Sequence, residues 1–191
     1  MKLPTIAIVA VLTVSSAVAQ QQPDFQNMLN ALQGLSAASA SNSAAVVNFR
    51  ELKKLLPASV AGIKRTRAEG QKQSTMGITV SYAEAEYAND GASITVKITD
   101  TTGTGFMAIG AAAITMTEID SESDDGFERT ATLQGYKGVE KYNSAAKSGE
   151  IQIWVAGRFM VEVSGNGVTF ESLSKAVAAL DLKALAAIMP N

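Results

Sequence analysis

Apolar and polar residues alternate most cleanly between Glu150 and Ser164. Ile151, Ile153 and Val155 alternate with Gln152, Trp154 and Ala156; after Gly157, Phe159, Val161 and Val163 alternate with Met160, Glu162 and Ser164. Period-two alternation predicts two strands, each with one face on a core. A three-residue loop, Ala156-Gly157-Arg158, sets Val155 opposite Phe159, Ile153 opposite Val161 and Ile151 opposite Val163. A two-residue loop would set Val155 opposite Arg158 and mix the faces, so the odd loop is preferred. The same register places Trp154 opposite Met160, and Gln152 opposite Glu162, on the other face.

Two further hairpins follow from turn chemistry. Ile78 to Ala88 and Ser93 to Asp100 flank Asn89-Asp90-Gly91, a strong hairpin signal. With Asp90-Gly91 at the centre, Tyr87 faces Ile94, Ala85 faces Val96 and Ala83 faces Ile98. On the opposite face Glu86 meets Thr95, Glu84 meets Lys97 and Tyr82 meets Thr99. Apolar pairing and charge pairing select the same register. Phe127 to Leu133 and Tyr136 to Asn143 surround Gln134-Gly135, which sets Arg129 opposite Glu140, Glu128 opposite Lys141 and Phe127 opposite Tyr142. Ile63 to Gln71 reads as an edge strand, and its Lys64, Arg65 and Arg67 oppose sheet-to-sheet aggregation.

Helical spacing appears at five places. Asp24 caps a short helix bearing Phe25, Met28, Leu29 and Leu32, ended by Gly34, and the small polar run Ser36 to Ala45 predicts a flexible linker. Asn48 caps a second helix, with Glu51 placed to reach back to it, Val47 and Leu52 as a staple, and Pro57 as the stop. Phe106 to Met116 is apolar all round and too short to span a membrane, which predicts a buried helix. Thr169 caps a C-terminal helix with the stripe Leu173, Ala176, Val177 and Leu180, and Asp181 caps a last short one. The fold class expected is α+β: an antiparallel sheet built from successive hairpins, covered by helices including the C-terminal one.

The N-terminus changes this picture. Lys2, the apolar run Ile6 to Val14 and Ala17-Val18-Ala19 form the three-part pattern of a signal peptide. The expected organisation is therefore a signal peptide over residues 1–19, a short helix and linker over 20–45, and a single globular domain over 46–191. Export to the periplasm or the extracellular space follows, with no transmembrane segment after cleavage.

Composition then narrows the chemistry. There is no cysteine and no histidine, which excludes a Ser-His-Asp triad, a cysteine nucleophile and a thiolate or imidazole metal site. With 16 basic and 18 acidic residues the chain has no basic stripe for nucleic acid. Ser172 and Lys175 have S-x-x-K spacing without its companion motifs. Gly103 to Ala108 matches G-x-G-x-x-A between a strand and a helix, but hairpins surround it where βαβ units are required. Asp120, Glu122, Asp124 and Asp125 share one acidic loop, Glu118 to Asp125, yet Asp125 stands where a calcium loop needs glycine and Ala131 where it needs the bidentate glutamate. Glu84 and Glu86 are paired carboxylates, and the hairpin register gives Glu84 a lysine partner.

The sequence thus predicts no catalytic, cofactor-binding or metal-binding residue. The expected function is that of an exported, non-enzymatic accessory or binding protein, its partner an unknown protein or a small hydrophobic ligand. Two other classes stand beside it: a carrier of a lipid or small hydrophobic ligand built around Phe106 to Met116, and a carboxylate-dependent hydrolase. The hydrolase requires Glu84, Glu86, Asp120, Glu122 and Glu140 to converge. The candidate interaction surface is Trp154 with Met160, because tryptophan beside methionine is not a bare solvent face. Its expected cover is the Phe106 to Met116 helix, the helix around Leu52 and Leu56, or a partner. No motif ties the chain to a characterised family.

Overall fold

The computed structural model of this protein describes residues 45–75, 78–102 and 118–188. The expected leader, the helix after Asp24, the Gly103 to Ala108 turn and the Phe106 to Met116 helix lie outside the described residues.

Nine strands form one sheet: β1 (Ser59–Val60), β2 (Ile63–Thr75), β3 (Ile78–Asn89), β4 (Ala92–Asp100), β5 (Asp120–Ser123), β6 (Gly126–Leu133), β7 (Tyr136–Asn143), β8 (Ser148–Val155) and β9 (Phe159–Asn166). Every neighbouring pair is antiparallel, and the order is β1-β2-β3-β4-β9-β8-β7-β6-β5. The first four strands make one meander and the last five another. They join where β4 meets β9, with Val96 opposite Val163, Lys97 opposite Glu162 and Ile98 opposite Val161.

The three hairpin registers are those the side-chain patterns dictate. Tyr87 lies opposite Ile94 and Glu84 opposite Lys97; Val155 opposite Phe159 and Trp154 opposite Met160; Arg129 opposite Glu140. Ala156 and Gly157 both adopt positive φ in the three-residue loop, 53° and 63°, the backbone shape that returns the chain without swapping faces. The edge strand runs four residues further than expected, from Ile63 to Thr75, with a bulge between Arg65 and Arg67. Part of the acidic loop is also a strand. β5 pairs with β6, Asp120 opposite Arg129, so this run is held to the sheet by its backbone ladder while all four of its side chains stay exposed.

One hydrophobic cluster carries the core. Ala83, Ala85 and Tyr87 from β3, Ile94, Val96 and Ile98 from β4, Ile151, Ile153 and Val155 from β8, and Phe159, Val161 and Val163 from β9 face into it. Three helices contribute to the same cluster: α1 (Phe49–Lys54) through Leu52, α2 (Phe170–Ala178) through Leu173, Ala176 and Val177, and α3 (Leu182–Ala186) through Leu182 and Leu185. Their caps are those expected. Asn48 accepts from Arg50 N–H at 3.0 Å, Thr169 Oγ1 from Ser172 N–H at 3.2 Å and Asp181 Oδ1 from Ala184 N–H at 2.8 Å. Glu51 does not reach back to Asn48. It accepts from Lys54 Nζ instead, at 2.9 Å, one turn along the exposed face. Gly70 in β2 lies beneath Phe49, where an added Cβ would stand 2.7 Å from the ring.

Candidate functional site

The face of the sheet opposite the core carries the polar and ionisable side chains in rows. Tyr82, Thr99, Met160 and Trp154 form one row across β3, β4, β9 and β8. Glu84, Lys97, Glu162 and Gln152 form the next, and Glu86, Thr95, Ser164 and Glu150 the third. These rows exist because each strand's even partner is apolar and faces the core, leaving its neighbours to this side.

Trp154 departs from the rest of this face. It is only 5 % exposed, although it stands outside the main core cluster. Its Nε1 is buried and has no hydrogen-bond partner among the described residues. A buried donor left unmade costs on the order of 1–3 kcal/mol. Thr99 in the same row is buried as well, and Met160 is half-buried. The helix around Leu52 and Leu56 is not the cover, since both residues pack in the cluster on the other face. The Phe106 to Met116 segment lies outside the described residues.

The second row is electrostatically crowded. Lys97 Nζ lies 3.8 Å from Glu84 Oε2 and 5.0 Å from the centre of the Tyr82 ring. Burial raises the Glu162 carboxyl above its ordinary range, the Glu150 and Glu84 carboxylates push it further, and Lys97 pulls it partly back. Gln152 donates from Nε2 to Glu150 Oε1.

The carboxylates proposed for hydrolysis do not converge. Glu84 and Glu86 stand on the polar face of β3. Asp120 and Glu122 belong to β5 at the far edge, six strand positions away, about 29 Å at the usual spacing. Glu140 points to the core side, is 4 % exposed, and binds Arg129 Nε at 2.8 Å. The Arg129 guanidinium is stacked on Phe127 at 4.6 Å and on Phe170 at 5.5 Å. Ser172 and Lys175 serve the helix: the serine hydroxyl shares a hydrogen bond with Thr169 Oγ1 at 3.0 Å, and the lysine pairs with Glu171 at 2.8 Å. Among the described residues no group of three or more acidic side chains is placed to hold a metal ion.

A buried ion pair at the end of β4 had no counterpart in the sequence reading. Asp100 is fully buried, and Arg158 Nη2, from the loop between β8 and β9, lies 2.8 Å from its Oδ2. Thr102 donates its hydroxyl and its N–H to Oδ1, at 2.7 and 3.0 Å, and Val47 N–H donates to Oδ2 at 2.7 Å. Burial alone would raise this carboxyl, but the bonds from Arg158, Thr102 and Val47 outweigh it and hold it below its ordinary value. The available signal was parity: Asp100 continues the inward series Ile94, Val96, Ile98.

A groove of about 860 Å³, open to solvent, runs beside Asp120, Arg129, Thr130 and Lys137, with Ile119 and Ala131 also in its walls. Among the described residues no helix is long and apolar enough to cross a membrane. No known protein family matches the chain, and no curated protein or solved structure is similar to it.

Proposed function

We propose that this chain is an exported, non-enzymatic accessory protein that binds a partner through the sheet face bearing Trp154 and Met160, the helices serving as the cover of the other face. The observation that carries the reading is the half-buried Met160 paired with Trp154, whose Nε1 has no hydrogen-bond partner among the described residues; Trp154 is only 5 % exposed, so contact through its indole requires a partner to displace what covers it in the free chain. Tryptophan is the side chain most often found as an anchor at contact surfaces, because it joins a large apolar area to one polar donor. The leader-like N-terminus supports export, and the absence of histidine and cysteine removes a Ser-His-Asp triad, a cysteine nucleophile and a thiolate or imidazole metal site.

A carrier role for a lipid or small hydrophobic ligand rests on the same donor, since a ligand with an acceptor atom would satisfy it. Photo-crosslinking separates the readings. A benzophenone side chain at Met160, in exported protein, is expected to give one discrete protein adduct that disappears with Trp154→Ala. A hydrophobic small-molecule adduct supports the carrier. Crosslinks confined to the chain itself defeat both.

A further inference from the structure

The two edges of the sheet are finished differently. At one edge, β5 is four residues long and carries Asp120 and Glu122, a short acidic edge that resists pairing. At the other, β1 covers only the start of β2: Ser59 stands opposite Lys64, and Arg65 N–H donates to Ala58 O at 2.9 Å. From Arg67 to Thr75, β2 is paired on its inner side by β3, with Thr66 in the bulge. On its outer side no strand lies beside it among the described residues. Gln71 to Thr75 are all exposed.

The charges along this free stretch do not block it. Lys64 and Arg65 lie where β1 already stands. Arg67 is matched within its own chain by Glu69, and its Nη1 lies 3.9 Å from Glu86. Lys72 remains as an exposed charge of the stretch; with Arg67 compensated, the open, extended edge is still a template for another strand.

We propose that this edge joins two copies of the chain, β2 against β2 in antiparallel fashion, about a two-fold axis at Gly70. The proposal goes beyond the partner-binding reading and uses a different surface. A two-fold axis normal to the sheet keeps core face with core face, so residues of equal parity must oppose each other. An axis at Glu69 would set two glutamates face to face. An axis at Ala68 runs into β1 and pairs only Thr66 to Gly70. An axis at Gly70 pairs Arg67 through Gln73, short of the bulge at Thr66, with Arg67 opposite Gln73, Ala68 opposite Lys72 and Glu69 opposite Gln71, and with no like charges opposed. Shifting the axis to Gln71 sets Gly70 opposite Lys72 and pulls the Phe49 rings apart. At Gly70 those rings meet, because each half-buried Phe49 lies directly over its own Gly70. The interface then has an apolar centre as well as a backbone ladder.

Sedimentation equilibrium of the full chain tests this, with charge placed at the exposed Gln73. Gln73→Glu creates two pairs with Arg67 of the opposite copy and is expected to tighten dimerisation roughly five-fold. Gln73→Arg opposes two like charges and is expected to weaken it by a similar factor. Circular dichroism should be unchanged in both. The chain has no cysteine, so Ser74→Cys carries a single spin label, and the Gly70 axis puts the two labelled backbones about 26 Å apart, eight residues of strand. A chain that stays monomeric up to about 1 mM, a dimer indifferent to both charges, or a label separation that fits another register overturns the proposal.

Discussion

Arg158 Nη2 lies 2.8 Å from Oδ2 of Asp100, a side chain with no exposure at all. The pair ties the loop between β8 and β9 to the end of β4, and through Val47 N–H it also fixes the chain entering α1. Three segments distant in sequence therefore meet on one carboxylate.

Removing that charge should be costly. Asp100→Asn leaves the Arg158 guanidinium without its counterion and is expected to destabilise the fold by about 3–5 kcal/mol, measured by urea denaturation. The pH dependence follows from the lowered carboxyl. Its contribution is complete above the ordinary carboxylate range and is lost as pH falls through the lowered value. The acid limb of the stability curve should accordingly be shallower in the variant than in the parent. Equal slopes would show that Asp100 does not carry it.

Trp154 offers a test by subtraction. Phenylalanine keeps most of the ring's bulk and removes the unpartnered Nε1 donor. Trp154→Phe is therefore expected to be neutral or stabilising, whereas Trp154→Ala should cost roughly 3–5 kcal/mol. Emission of the parent should be blue-shifted and poorly quenched, since this is the only tryptophan and it is 5 % exposed. Red emission from a quencher-accessible indole would contradict its burial.

The Glu84–Lys97 contact predicts a small coupling. At 3.8 Å, with the lysine side chain 37 % exposed, the pair should contribute about 0.2–1 kcal/mol. Lys97→Glu should destabilise slightly, and adding Glu84→Lys should restore part of the loss. A double-mutant cycle with no coupling would place the two side chains apart in solution.

The hairpin registers were legible because two constraints met in each. Around Asp90-Gly91, the apolar set Tyr87, Ala85, Ala83 and the ion pair Glu84–Lys97 demand one alignment, and the structure adopts it. The meeting of β4 with β9 was not legible, since a junction between strands some seventy positions apart leaves no local pattern. β5 was hidden for another reason: alternation cannot reveal a strand whose every side chain is exposed. Arg129 and Glu140 were aligned from their charges, but their facing the core side, against Phe127 and Phe170, depended on α2 arriving there. The Trp154–Met160 pairing was readable from the odd loop; the missing partner of Nε1 was not, because it depends on what every other segment leaves undone.

Glu162 should behave in the opposite sense to Asp100. Its carboxyl is raised by burial and by the neighbouring carboxylates of Glu150 and Glu84, despite Lys97 opposite it. The native state therefore holds this proton to higher pH than the unfolded chain does, and stability falls as pH rises from the ordinary carboxyl range through the raised value. Glu162→Gln removes the titration while keeping the shape. Relative to the parent, the variant should gain stability across that window and hold a constant advantage above it. Chemical denaturation at intervals from pH 3 to pH 8, an ordinary span for carboxyl titration, measures the difference. A difference that does not change with pH would mean that Glu162 titrates alike in both states. A loss of stability on raising pH in the variant but not the parent would mean that Lys97, not the surrounding carboxylates, governs this row.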